Sequence, residues 1–94
     1  MWARIAAFEG GNDEELRRRN EERGGMDMPP GMTGGMVMRG GGKRLFVAYF
    51  DDEQSLDAAA QHFEKMGDDI PEDVRGKRTS VDKYEVVWNS WEQS

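Results

Sequence analysis

The amino-acid sequence predicts an α+β domain in which a four-stranded antiparallel sheet carries two helices on one face. Three observations support this prediction. Apolar residues alternate in four segments as strand side chains do, capping residues or helical spacing mark two further segments, and glycines separate the segments. The 94 residues are therefore expected to form one domain over 1–88, followed by a C-terminal tail over 89–94.

The first strand is predicted over Trp2–Glu9, with aromatic residues and one arginine on one face and Ile5 between two alanines on the other. A pair of glycines ends it. Asn12 is then a typical helix N-cap, because Glu15 follows three residues later as in a capping box. The helix is expected to run to about Arg23, on the surface, since it contains a single large apolar residue.

A loop rich in proline and glycine, Met26–Gly35, leads to a second strand at about Gly35–Arg39. Gly40–Gly42 then predicts a hairpin turn. The third strand, Lys43–Asp51, is apolar on both faces, which is unusual in a chain with only 36% hydrophobic residues. A strand that is buried on both faces needs two covering layers.

The second helix is predicted from the caps Asp51 and Asp52 to Gly67, with an apolar stripe at helical spacing. The members of this stripe are Leu56, Ala59, Ala60, Phe63 and Met66. A polar loop over Asp68–Lys77 follows, and the last strand is expected at about Thr79–Trp88.

This order of elements, with short connections and right-handed crossovers, predicts a ferredoxin-like βαββαβ fold with both helices on one face of the sheet. The chain offers no cover for the other face, which receives one of the two apolar sets of the third strand: Leu45, Val47 and Tyr49, or Phe46, Ala48 and Phe50. Soluble monomers rarely expose so large an apolar patch. We therefore expect a homodimer that forms through the sheet face and closes into an α+β barrel.

Charge and composition exclude several classes of function. Nineteen acidic and thirteen basic residues give a net charge of −6, which disfavours nucleic acid and anionic membranes as partners. The absence of cysteine excludes disulfides, zinc–thiolate and iron–sulfur sites and a cysteine nucleophile. Neither a signal peptide nor a membrane-spanning segment is visible in the sequence, so a cytoplasmic location is expected.

The third strand and the helix that follows it, FVAYFDDEQSLDAA, resemble the antibiotic-biosynthesis-monooxygenase-like proteins of the dimeric α+β barrel group. The resemblance covers about Trp2–Trp88 and rests on the order and spacing of the elements. It implies a homodimer with a cleft between sheet and helices for an aromatic compound or haem. The implied activity is a monooxygenase that needs no cofactor; the alternatives are a non-catalytic ligand-binding or accessory dimer and a haem-binding or haem-degrading protein.

Haem-degrading members pair an asparagine on the first strand with a tryptophan and a histidine on the second helix. Here the first strand has no asparagine and the second helix no tryptophan, and only His62 falls in the matching helix. His62 is interpreted either as a partly solvated residue at the flank of the helix or as a haem or metal ligand.

Six residues are candidates for lining the cleft: Trp2, Arg4, Tyr49, His62, Tyr84 and Trp88. The aromatic members either line a cleft or the dimer seam, or they fill the sheet faces. In an oxygenase, Arg4 would stabilise the anion of a phenolic substrate. The sequence identifies no catalytic residue and no metal site.

Two further patterns have a structural and a functional interpretation. Five methionines lie between Met26 and Met38, at spacings that suit Cu(I) but also suit the filling of a core or pocket wall, and Met36 and Met38 share one strand face as core residues would. The Gly40–Arg44 run resembles a phosphate loop, but it lacks the first glycine and the Ser/Thr of that motif and connects two strands. It is interpreted as a hairpin.

Overall fold

The computed structural model describes residues 1–22 and 29–90. The elements are β1 (Trp2–Glu9), α1 (Asp13–Glu22), β2 (Met32–Gly40), β3 (Lys43–Phe50), α2 (Glu53–Asp68), α3 (Glu72–Arg75) and β4 (Lys77–Glu85). The strands form one antiparallel sheet in the order β2-β3-β1-β4. This confirms the predicted α+β class and the four-stranded antiparallel sheet, and it is compatible with a ferredoxin-like fold.

The core lies between one face of the sheet and α2. Strand register places Trp2 beside Phe50 and Arg4 beside Ala48, so the even-numbered residues of β1 and β3 share the face toward the helices. The Phe50 and Phe63 rings meet edge to face with centroids 6.2 Å apart. The buried cluster consists of Met32, Ala48, Phe50, Leu56, Ala59 and Phe63.

Both longer helices begin at the predicted caps. The Asn12 Oδ1 atom accepts a hydrogen bond from the Glu15 backbone N–H at 3.1 Å. The Asp52 Oδ1 atom accepts one from Ser55 at 2.7 Å, so one of the unpaired N–H groups at the start of each helix is satisfied. The predicted end of α2 at Gly67 is wrong by one residue, because the helix continues through this glycine to Asp68.

The β2–β3 hairpin turns at Gly41 and Gly42, whose φ angles are 58° and 77°. Two consecutive positive φ angles are typical of the tight type I′ turn, which confirms the predicted hairpin. Strand β2 begins at Met32 rather than at Gly35, because buried Met32 pairs with Phe50 across an irregularity in the register.

The segment predicted as a polar loop contains the short helix α3. Val74 in this helix is 8% exposed, and its carbonyl oxygen accepts a hydrogen bond from the Asn12 N–H at 2.8 Å. A four-residue helix with one apolar side chain has too little periodicity for detection in the sequence.

The last strand begins and ends earlier than predicted, at Lys77 and Glu85. Glu85 pairs with Trp2, the first residue of β1, so β4 ends where its neighbouring strand begins. Val86 still donates a hydrogen bond to the Met1 carbonyl at 2.9 Å, but Trp88 lies beyond the strand and is 81% exposed.

Two glycines allow the connection from β1 to α1 to contact the connection from α3 to β4. Gly11 has a φ of +87° and Gly76 one of +85°. A Cβ atom on Gly76 would lie 2.7 Å from the Glu9 carbonyl oxygen, and one on Gly11 would lie 2.6 Å from that of Val74. Both positions therefore require glycine, because backbone atoms occupy the space of a side chain.

The face of the sheet opposite the core is called the open face. On this face Ala3 lies between Tyr49 and Tyr84 in the strand register. Met36 and Met38 share this face and are 36% and 43% exposed, so their interpretation as core residues is wrong for the single chain. Of the other methionines, Met26 and Met28 lie outside the described residues, as do Arg23, the predicted end of the first helix, and Trp91 in the tail.

Candidate functional site

A groove runs beneath α1, between this helix and the sheet. It consists of two cavities of about 440 Å³ and 400 Å³. We call it the α1 groove. The two cavities share the lining residues Leu16, Arg44, Phe46, Met66 and Ile70, so they are two ends of one space. Helix α1 buries none of its residues fully, because Leu16 is the only large apolar side chain that it directs inward.

Asp13 connects the N-terminal end of α1 to the sheet through hydrogen bonds with two arginines on β2 and β3. Its Oδ1 atom accepts a hydrogen bond from Arg44 Nη1 and its Oδ2 atom one from Arg39 Nη1, both at 2.5 Å. The Arg44 guanidinium also donates to the Arg75 carbonyl oxygen, which ties α3 to the same point. These hydrogen bonds, that from Arg44 above all, hold the pKa of the Asp13 carboxyl below its usual value.

Arg4 forms the charged part of the larger cavity. It projects from the centre of β1 toward the helices and is only 5% exposed. Its Cζ atom lies 5.0 Å from the centroid of the Phe63 ring, and its Nη2 atom lies 3.6 Å from Glu64 Oε1. Burial lowers the pKa of the Arg4 guanidinium; Glu64 opposes this effect and Arg78 adds to it.

The Glu64 carboxylate contacts two arginines. The same Oε1 atom that lies near Arg4 accepts a hydrogen bond from Arg78 Nη1 on β4. One carboxylate therefore faces two guanidinium groups at the wall of the cavity. The floor beside them is apolar and mainly aromatic, formed by Ala6, Phe8, Phe46, Phe63 and Met66.

The six candidate residues fall in different parts of the fold. Arg4 lines the larger cavity. Trp2 lies on the same sheet face at the start of β1, where the Lys83 ammonium is 5.9 Å from its ring centroid. Tyr49 and Tyr84 flank Ala3 on the open face, and Trp88 follows β4 in an exposed position.

His62 lies on α2 at the flank of the apolar stripe. It is half-buried, and its ring meets the Phe63 ring edge to face at a centroid distance of 5.8 Å. It does not line either cavity of the α1 groove. The groove therefore does not offer the imidazole ligand that the haem interpretation requires.

Sequence reasoning missed most of the charged residues that surround the groove. Arg44 and Arg78 belong to the helix-facing side of their strands, as their register partner Phe8 shows, but each stands near a strand end where arginine is usually solvated. Alternation alone could have placed Arg44 on this face, but Arg78 reaches it only because the register shifts between Ala7 and Phe8. Alternation could not have distinguished the 8% exposure of Arg44 from full solvation.

Within residues 1–22 and 29–90, no group of three His, Asp or Glu side chains is arranged to hold a metal ion. No helix in these ranges is long and apolar enough to cross a membrane. No protein-family model matches the chain, and no curated protein sequence is significantly similar to it. The resemblance to the monooxygenase-like proteins thus has the support of a compatible α+β fold, but not of a family match.

Proposed function

We propose that the protein is a small dimeric α+β barrel protein that binds a small aromatic compound in the α1 groove. The observation that carries this proposal is the cavity of about 440 Å³ between sheet and helices, with an apolar floor and the buried Arg4 at its wall. Ligand sites typically have volumes of about 300 to 1,000 Å³ and combine apolar walls with a few polar groups.

Binding without catalysis is the function that these residues support best. The lining of the larger cavity includes Glu64, but this carboxylate is engaged by Arg4 and Arg78. A general base has to bring a free oxygen within hydrogen-bond reach of the substrate proton, whereas the Glu64 Oε1 atom is already in contact with two guanidinium groups. The aromatic floor and the arginine are suited to orienting a ligand.

The open face supports the proposal of a homodimer. Met36, Met38 and Tyr84 on this face are between 36% and 54% exposed in the single chain. Four strands of about eight residues span on the order of 500 Å² in projection, and side-chain relief brings this toward the roughly 800 Å² per partner of a stable interface. A second copy would cover the same side chains by twofold symmetry.

A second candidate function is the oxidation of a phenol or quinol by molecular oxygen without a cofactor. Arg4 favours it, because a guanidinium beside the ring of Phe63 would stabilise the phenolate form of an aromatic substrate. Oxygen uptake with 1,4-naphthohydroquinone measures this activity against the rate without protein. Uptake faster with the wild type than with Arg4→Met supports it, and equal rates reject it.

Binding is tested by titrating the protein with 1-naphthamide and following the methyl resonances by NMR. We expect saturable shifts, which Ala6→Leu weakens about tenfold because the larger side chain fills the floor of the cavity. Ala58→Leu on the exposed side of α2 adds the same group outside the groove and is expected to bind as the wild type does. The proposed function is rejected if the wild type shows saturable binding of neither this neutral compound nor charged analogues of the same size.

A further inference from the structure

The charge around the larger cavity is opposite to that of the whole chain. The chain carries a net charge of −6. Yet five basic residues line this cavity, Arg4, Arg44, Arg75, Lys77 and Arg78, against the three acidic residues Glu64, Asp68 and Glu72. A local excess of positive charge in an acidic protein attracts anions to one place and repels them elsewhere.

The partners of these basic residues differ. Arg44 is bound to Asp13 and to the Arg75 carbonyl, and Arg75 itself donates a hydrogen bond to the Gly67 carbonyl at 2.8 Å. These two arginines hold the fold together. Arg4 and Arg78, in contrast, share the single Oε1 atom of Glu64. Two guanidinium groups and one carboxylate leave this pair with one positive charge in excess.

The Arg4–Glu64 contact is the weaker of the two that Glu64 makes. At 3.6 Å it exceeds the usual length of a charge-assisted hydrogen bond, which is about 2.7 to 2.9 Å. Arg4 is at the same time almost fully removed from water. A buried cation whose single carboxylate partner is distant and shared is stabilised when a second anion approaches. The anion then replaces the interactions with water that the cation lost on burial.

We propose that the ligand of the α1 groove is an aromatic carboxylate, whose carboxylate binds Arg4 and Arg78 and whose ring packs on Phe46 and Phe63. This inference rests on the proposed function and specifies its ligand class. The 5.0 Å separation of the Arg4 guanidinium from the Phe63 ring centroid places the charged and the aromatic parts of the site in contact. A ligand with a charged group directly attached to a ring matches this spacing.

Three naphthalene derivatives of nearly equal size distinguish the contribution of ligand charge to the affinity from the contribution of apolar contact. They are 1-naphthoate, neutral 1-naphthamide and 1-naphthylmethylammonium. We expect the wild type to bind 1-naphthoate at least tenfold more tightly than the amide and the ammonium compound most weakly. The preference for the carboxylate should decrease as salt increases.

Two substitutions should change the affinity for 1-naphthoate in opposite directions. Arg4→Met keeps the unbranched apolar part of the side chain and removes its charge, so it should weaken 1-naphthoate about tenfold and leave the amide unchanged. Glu64→Gln removes the competing carboxylate and should strengthen 1-naphthoate several-fold. Lys65→Gln, on the exposed side of α2, removes one positive charge outside the cavity and should change neither affinity.

The outcomes distinguish this inference from the function on which it rests. Equal affinities for 1-naphthoate and 1-naphthamide in the wild type would overturn the assignment of a carboxylate and leave the binding function intact. Absence of binding by all three compounds would overturn both. If Arg4→Met weakened the amide as much as the carboxylate, the role of Arg4 would be packing, and the inference would be wrong.

Discussion

Arg4 and Phe63 join the charged and the aromatic parts of the α1 groove. The Arg4 Cζ atom lies 5.0 Å from the centroid of the Phe63 ring, and the two residues are 5% and 8% exposed. A cation over an aromatic face is stabilised by the ring quadrupole, but burial removes its hydration. The burial of the Arg4 charge therefore lowers the stability of the folded protein, as is common at binding sites.

Arg4 and Arg44 are both buried, yet their replacement by methionine should have different effects on stability. Arg4 has one distant, shared carboxylate, so Arg4→Met should leave the free energy of unfolding unchanged or raise it by about 1 kcal/mol. Arg44 bonds Asp13 and the Arg75 carbonyl, so Arg44→Met should lower it by about 2 to 4 kcal/mol. Urea unfolding of the two variants measures the difference, and equal losses would contradict this assignment.

Acid should loosen the attachment of α1. The folded-state pKa of Asp13 lies below its ordinary value of 3.8, so its ion pair stabilises the protein above that pH. The contribution is lost as the pH falls through the lowered folded-state pKa. Asp13→Asn should therefore be less stable than the wild type at pH 7, by about 1 kcal/mol because a third of the Asp13 side chain is exposed to screening solvent.

Urea unfolding of the wild type and Asp13→Asn at pH 7 and near pH 2 tests this pH dependence. The difference between the two proteins should shrink toward zero at the lower pH. A difference that stayed constant across this interval would assign the effect to a hydrogen bond rather than to the charge of Asp13.

Gly76 should not tolerate a side chain, whereas Gly40 should. Gly76 combines a φ of +85° with a Glu9 carbonyl 2.7 Å from the position of a Cβ atom. Gly76→Ala should therefore lower the free energy of unfolding by about 2 kcal/mol or more. No atom lies within 4 Å of a Cβ on Gly40, so Gly40→Ala should change it little. Thermal unfolding of both variants is the measurement, and a stable Gly76→Ala would mean that the two connections lie farther apart.

Adjacent residues of β2 test the dimer. Met36 points to the open face, and Val37 pairs with Phe46 on the face toward the helices. Met36→Glu should yield a folded monomer, because it places a charge in the proposed interface. Val37→Glu adds the same charge to the same strand and should remain a dimer. Sedimentation at micromolar concentration distinguishes the two, and a monomeric wild type would reject the proposed interface.

The fold could be predicted further than the site because alternation and caps are local signals. The faces of β1 and β3, the capping by Asn12 and Asp52, and the hairpin all follow from neighbouring residues. Helix α3 and the end of β4 depend on distant partners, Asn12 and Trp2, and were not predictable from their own segments.

For the site, too, contacts between residues that are distant in the chain could not be predicted from local sequence signals. Arg4 is a candidate from the sequence because it shares a strand face with Trp2, Ala6 and Phe8 and could stabilise the anion of a phenolic substrate. Its neighbours Glu64 and Arg78 are separated from it by more than fifty residues, and in the sequence each resembles a solvated surface charge. Their shared contact follows only from the packing of α2 beside β4.

The most direct test of the central claim is the position of a bound aromatic ring. Nuclear Overhauser effects between the ring protons of 1-naphthamide and the protein methyl groups measure it. Binding in the α1 groove predicts contacts with Leu16, Ile70 and Met66, which line it. Contacts with Ile5 and Met36, which lie on the open face and line neither cavity, would contradict binding in the groove.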